Sequence, residues 1–119
     1  MSDLGETKLR EYLAHPAVSE AVKAGLTRAL ELGQRKADAE KTFADLKRQL
    51  KAVSVDQARL RENLHVIPQT SEPYKDFLKK FVTQEAEIDA LQQRIRQAEV
   101  TRTTVQREYQ VFVTTWNAE

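Results

Sequence analysis

The side chains able to do chemistry in this chain are few and widely separated. His15 and His65 are the only histidines, and there is no cysteine. A zinc site would therefore have to be built from carboxylates, which are not its usual ligands. If the intervening residues are helical, the two histidines stand roughly 60 Å apart by helical rise and cannot share an ion. Acidic residues are more frequent, as at Glu85, Glu87 and Asp89. Residues two apart on a helix point in different directions, so these three cannot converge on one substrate atom. Ser19, Ser54 and Ser71 have no neighbouring histidine to act as base, and the three glycines are too scattered to cradle a phosphate. The expectation is a chain with no catalytic, cofactor or metal site.

The remaining polar chemistry is recognition. Arg59, Arg61, Lys75, Lys79 and Lys80 gather around one break in the chain, interleaved with Asp56, Glu62, Glu72 and Asp76. Pairing at helical spacing, Asp76 with Lys80 and Arg59 with Glu62, accounts for much of this charge. What is left over points to Arg61, His65 and Lys75 as contacts for a partner, with Val55, Val66 and Val82 adding apolar area nearby. Nineteen basic residues against eighteen acidic give a formal net charge of +1. Such a balance supplies no single-sign field for nucleic-acid phosphates, so binding through basic helix faces is the less favoured alternative.

The elements that must position these residues are helical. Charged residues make up 31% of the chain, and only three prolines and three glycines interrupt it. Ala, Leu, Glu, Lys, Arg and Gln dominate, and these residues lose the least side-chain entropy in a helix. Leu9, Tyr12 and Leu13 share one side of a short helix over residues 6–14, which His15-Pro16 ends. Ser19 is a helix cap, with Glu20 in the first turn suiting the dipole. No proline follows until Pro68, so the first arm runs over residues 19–66, a helix of roughly 70 Å. Residues 67–72 form the turn. Ser71 can cap the second arm, over residues 73–116, with Pro73 in its first turn.

Both arms carry a seam whose steps settle into alternating threes and fours. The second arm reads Tyr74, Leu78, Phe81, Ile88, Leu91, Ile95, Ala98, Val105, Tyr109, Phe112 and Trp116. Working back along the first arm gives Leu64, Leu60, Gln57, Val53, Leu50, Leu46, Phe43, Ala39, Lys36, Leu32, Ala29, Leu26 and Val22. A short turn sets Leu64 against Tyr74, Leu60 against Leu78, Leu50 against Ile88, Phe43 against Ile95 and Val22 against Trp116. In that register Gln57 faces Phe81, and Lys36 meets Arg102. Two like charges are not both buried, so these are expected to reach outward toward Glu40 and Glu99. Gly33 and Ala37 make one edge small, where the arms could close up or the helix could kink. Phe112 and Trp116 are large for a two-helix seam, and Leu9, Tyr12 and Leu13 are the expected cover for them.

The fold class expected is thus all-α. It is a single domain over residues 1–119, a long antiparallel two-helix coiled-coil hairpin with a short N-terminal helix packed at its base. The N-terminal residues lack the basic and apolar regions of a signal peptide, and no run approaches membrane-spanning length. The compartment is left open by composition.

The runs Asp56-Gln57-Ala58-Arg59-Leu60-Arg61-Glu62-Asn63-Leu64 and Ser71-Glu72-Pro73-Tyr74-Lys75-Asp76-Phe77-Leu78 resemble the C-terminal helical coiled-coil region of large uncharacterised bacterial proteins that carry a domain of unknown function. The resemblance implies that the chain is a helical part of a larger protein whose β-rich portions lie elsewhere. It carries over no catalytic residue. The function expected is a non-enzymatic structural or protein–protein interaction module with a protein partner. A second version of that reading is a self-standing homo-oligomeric adaptor or chaperone-like clamp, joined through the base.

Overall fold

The computed structural model describes residues 19–116. Two α-helices account for nearly all of them, α1 over Glu20–Val66 and α2 over Glu72–Thr115. Each begins at a serine. Ser19 Oγ accepts the Val22 N–H at 3.2 Å, and Ser71 Oγ accepts the Tyr74 N–H at 3.3 Å. Each cap satisfies a donor that the first turn leaves unpaired. The turn is tied by Ser71 itself, whose hydroxyl and backbone N–H both donate to the Pro68 carbonyl, at 2.7 and 3.0 Å.

The chain divides into two compact units, one over Thr42–Glu99 and one whose described part comprises residues 19–41 and 100–116. In the first, which contains the turn, Leu46, Leu91 and Ala98 form a buried cluster, with Phe43, Leu50, Val53 and Ile95 packed against it. Full burial of a large apolar side chain contributes about 1.5–3 kcal/mol, and the half-buried members contribute less. Along α2 the inward positions of this unit are Tyr74, Phe77, Phe81, Gln84, Ile88, Leu91, Ile95 and Ala98, an unbroken alternation of three and four. Leu78 is 42% exposed, so Phe77 holds the seam position expected of Leu78.

The register differs from the one expected. Gln57 Nε2 donates to Glu85 Oε1 and Gln84 Nε2 to Asp56 Oδ2, both at 2.6 Å, and the Arg61 guanidinium lies 5.7 Å from the centre of the Phe81 ring. Gln57 is therefore level with Gln84 and Glu85 rather than with Phe81. Leu60, with no exposed surface, comes level with Phe81 rather than Leu78. Relative to the expected pairing, α2 has slid about half a heptad along α1. The reason is polar matching. Heptad seams superpose equally well at either setting, but only this one brings Gln57 and Gln84 into one layer, where each amide finds a carboxylate.

The second unit has the same offset. The Lys36 ammonium lies 5.7 Å from the Tyr109 ring centre, Arg35 meets Glu108 at 3.6 Å, and Gln106 Nε2 donates to Glu40 Oε1 at 2.9 Å. Lys36 is thus not set against Arg102, and Glu40 is engaged by Gln106 rather than reserved for Lys36. Leu26, Ala29, Leu32, Ala39, Val105 and Tyr109 are buried here. Trp116 stacks on Phe112 with ring centres 5.9 Å apart, and it lies on Gly25 so closely that a methyl group there would overlap the indole. Trp116 accordingly packs at Gly25, not at Val22. At Gly33 a methyl group would stand 3.5 Å from Tyr109 Cε2, an ordinary contact, and α1 continues through the position as α-helix. The short helix over residues 6–14, with Leu9, Tyr12 and Leu13, falls outside the described residues, as does His15.

Candidate functional site

Most of the charge around the turn is consumed locally. Arg59 Nε donates to Asp56 Oδ1 at 3.0 Å, so its partner is Asp56 rather than the expected Glu62. Lys75 meets Glu72 at 3.3 Å, and the Lys80 ammonium lies 5.8 Å from the Phe77 ring centre. Exposed pairs at such spacing add little stability. Their effect is to leave fewer cations directed at solvent than composition suggests.

The three residues expected to meet a partner lie on one flank of this unit. Arg61 and His65 are one turn apart on α1, and Lys75, Leu78 and Val82 follow at three- and four-residue steps on α2. Arg61 reaches across to Phe81 from that side, which joins the two stripes. All five side chains are exposed, with Leu78 at 42% and Val82 at 60%. The flank therefore presents two aliphatic side chains on the same side as Arg61, His65 and Lys75, the last of these paired with Glu72. Val66, 78% exposed, stands at the end of α1 beside the turn, whereas Val55, also exposed, lies on the outer face of α1 among Arg48, Lys51, Ala52 and Arg59. That outer face is a solvated surface in which Arg48 is paired with Asp45.

The second cluster of polar chemistry, the layer of Asp56, Gln57, Gln84 and Glu85, was hidden to sequence reasoning because Gln84 was not assigned to the seam. Gln57 is buried, and Gln84 Oε1 is buried with no hydrogen-bond partner. The Asp56 carboxyl is held below its ordinary value of 3.8, first by the hydrogen bond from Arg59 and then by that from Gln84. Partial burial acts against them, and the charges of Arg59 and Lys80 add to the lowering. A strict three-four count along α2 back from Leu91 finds Gln84 on the seam, but not which residue of α1 lies opposite it.

Phe112 and Trp116, expected as base packing, are brought together in the second unit. There an open groove of about 550 Å³ is lined by Leu32, Val111, Phe112 and Thr115 together with Arg28, Arg107 and Glu108. Among the described residues there is no group of histidine, cysteine, aspartate or glutamate able to hold a metal ion, and no helix is long and apolar enough to cross a membrane. No protein-family model, curated protein or solved structure matches the chain.

Proposed function

We propose that this chain is a non-enzymatic protein-interaction module in which the paired helices are scaffold and the flank carrying Arg61, His65, Lys75, Leu78 and Val82 is the contact surface. The observation that carries the reading is the exposure of Leu78 and Val82 in a unit whose other large apolar residues of α2 line the seam. Two aliphatic side chains beside the Arg61 guanidinium suit a partner segment that is itself amphipathic, with apolar residues next to a carboxylate. The resemblance at the turn supports placing the module within a larger bacterial protein. The short helix over residues 6–14 belongs, in this proposal, over Phe112 and Trp116, where the groove beside Phe112 offers apolar surface for Leu9, Tyr12 and Leu13.

The test is site-specific photocross-linking in cells. A photoreactive residue replaces Leu78, and a control replaces Val55 on the outer face of α1. A protein captured at position 78 and not at 55 is then titrated against the purified chain and against Leu78→Asp/Val82→Asp. Loss of binding in the double variant, with helical content retained, supports the reading. Equal capture at both positions, or binding indifferent to the double variant, removes it. The exposed aliphatic pair also fits a second copy of the chain. In that case light scattering across a wide concentration range shows a dimer that Leu78→Asp/Val82→Asp dissociates.

A further inference from the structure

The seam of the unit over Thr42–Glu99 recurs every three or four residues on both helices. A half-heptad slide therefore returns apolar residues to face apolar residues. In the observed register Leu50 is level with Leu91 and Val53 with Ile88, as the bonds of Gln57 to Glu85 and of Asp56 to Gln84 require when counted one heptad away. After a slide Leu50 is level with Ile88 and Leu46 with Leu91, and these too are apolar pairs. What changes within this unit is the polar layer, and because both helices continue unbroken beyond it, the slide also takes Trp116 off Gly25. Gln57 moves opposite Phe81, and Gln84 moves opposite Val53, so each amide faces an apolar neighbour. The layer that opposes the slide is itself incompletely satisfied, because Gln84 Oε1 is buried without a partner. The turn imposes no strong veto either: the slide brings Glu72 level with Val66, so the connection need not lengthen, although half-buried Leu64 in the last turn of α1 must repack.

We propose that this unit has two registers related by a half-heptad slide, and that the layer in which Gln57 and Gln84 each bond a carboxylate is its own element selecting the observed one. The slide moves α2 by about 5 Å along α1. It would carry the Lys75, Leu78 and Val82 stripe past Arg61 and His65, remaking the surface around the turn. A partner that grips one arrangement of that surface would bias the register, and the register would in turn set affinity for the partner. The inference concerns the conformation of the chain alone and does not depend on the partner proposed above.

The native chain has no cysteine, so an introduced pair reports one distance without background. A disulfide requires Cα atoms within about 7 Å, which a 5 Å slide makes or breaks. Leu50→Cys/Leu91→Cys reports the observed register and Leu50→Cys/Ile88→Cys the alternative one. Each pair is placed in the native background and in the exchange variant Val53→Gln/Gln57→Val. The exchange keeps composition constant but moves the amide to where the alternative register matches it with Gln84. Native chains are expected to form the 50–91 disulfide at least tenfold faster than the 50–88 disulfide, and the exchange variant is expected to reverse that preference. If the exchange variant keeps the native preference, the layer does not select the register and the inference fails. If it loses its helical signal, no second register was there to hold it, and the inference fails equally.

Discussion

Gly25 and Gly33 are both glycines inside the same continuous helix, yet replacing them with alanine should have opposite effects. Alanine is favoured over glycine in a helix interior by about 1 kcal/mol. At Gly33 the added methyl group finds Tyr109 Cε2 at 3.5 Å and needs no adjustment, so the propensity gain is realised in full. At Gly25 the methyl group would occupy the space of the Trp116 indole, and the ring must leave. Displacement forfeits the stack on Phe112, worth about 1 kcal/mol. It also exposes roughly 100 Å² of apolar ring surface, about 2.5 kcal/mol more. Set against the propensity gain, Gly25→Ala should be destabilising by about 2–3 kcal/mol. For a chain near 100 residues, each kcal/mol shifts Tm by roughly 4–8 °C, so the two variants should depart from the native protein in opposite directions. Trp116 is the only tryptophan, so its emission reports this site directly. A red shift is expected in Gly25→Ala and none in Gly33→Ala. If Gly25→Ala melts as high as Gly33→Ala with unchanged emission, the close packing of Trp116 on α1 is wrong.

Two further perturbations probe the unit containing the turn. Leu60 has no exposed surface and Leu78 is 42% exposed, so chemically identical truncations should differ: Leu60→Ala costs about 3 kcal/mol and Leu78→Ala under about 1. Equal losses in urea denaturation would return Leu78 to the seam and restore the register in which it faces Leu60. The carboxyl of Asp56 is lowered in the folded state below its ordinary value of 3.8, so its contribution to stability is fully present above that value and is lost as pH falls through the folded one. Asp56→Asn should therefore be less stable than the native chain at pH 7 and indistinguishable from it at a pH well below the folded value. A difference that persists unchanged in acid would mean that charge on Asp56 is not the cause.

Much of the architecture was legible because it rests on local rules. Ser19 and Ser71 cap the helices as their positions imply, and the long proline-free stretch between Pro16 and Pro68 is consistent with α1 running unbroken to Val66. The buried residues Leu26, Ala29, Leu32, Leu46, Leu60, Leu91, Ala98, Val105 and Tyr109 all lie on the seams read from spacing alone. On the flank beside the turn, the grouping of Arg61, His65 and Lys75 follows from helical periodicity once the turn is placed. Spacing does not separate Leu78 from Phe77, because both are large and apolar and either continues a pattern of threes and fours for one step. Only the next polar position, Gln84, distinguishes them, and a search for apolar residues passes over a glutamine.

Spacing in the chain specifies which side of each helix is buried, because a 3.5-residue apolar repeat defines one face whatever lies against it. It does not specify how far one helix has slid along the other, since a half-heptad displacement presents the same kind of face again. That choice belongs to contacts between residues distant in the chain. Gln57 and Gln84 each find a carboxylate in one layer, Lys36 is carried past Arg102 to the ring of Tyr109, and Trp116 settles on the one glycine that leaves it room. Each of these is a pairing of unlike chemistries across the helix interface, and a periodic pattern of like residues does not encode it.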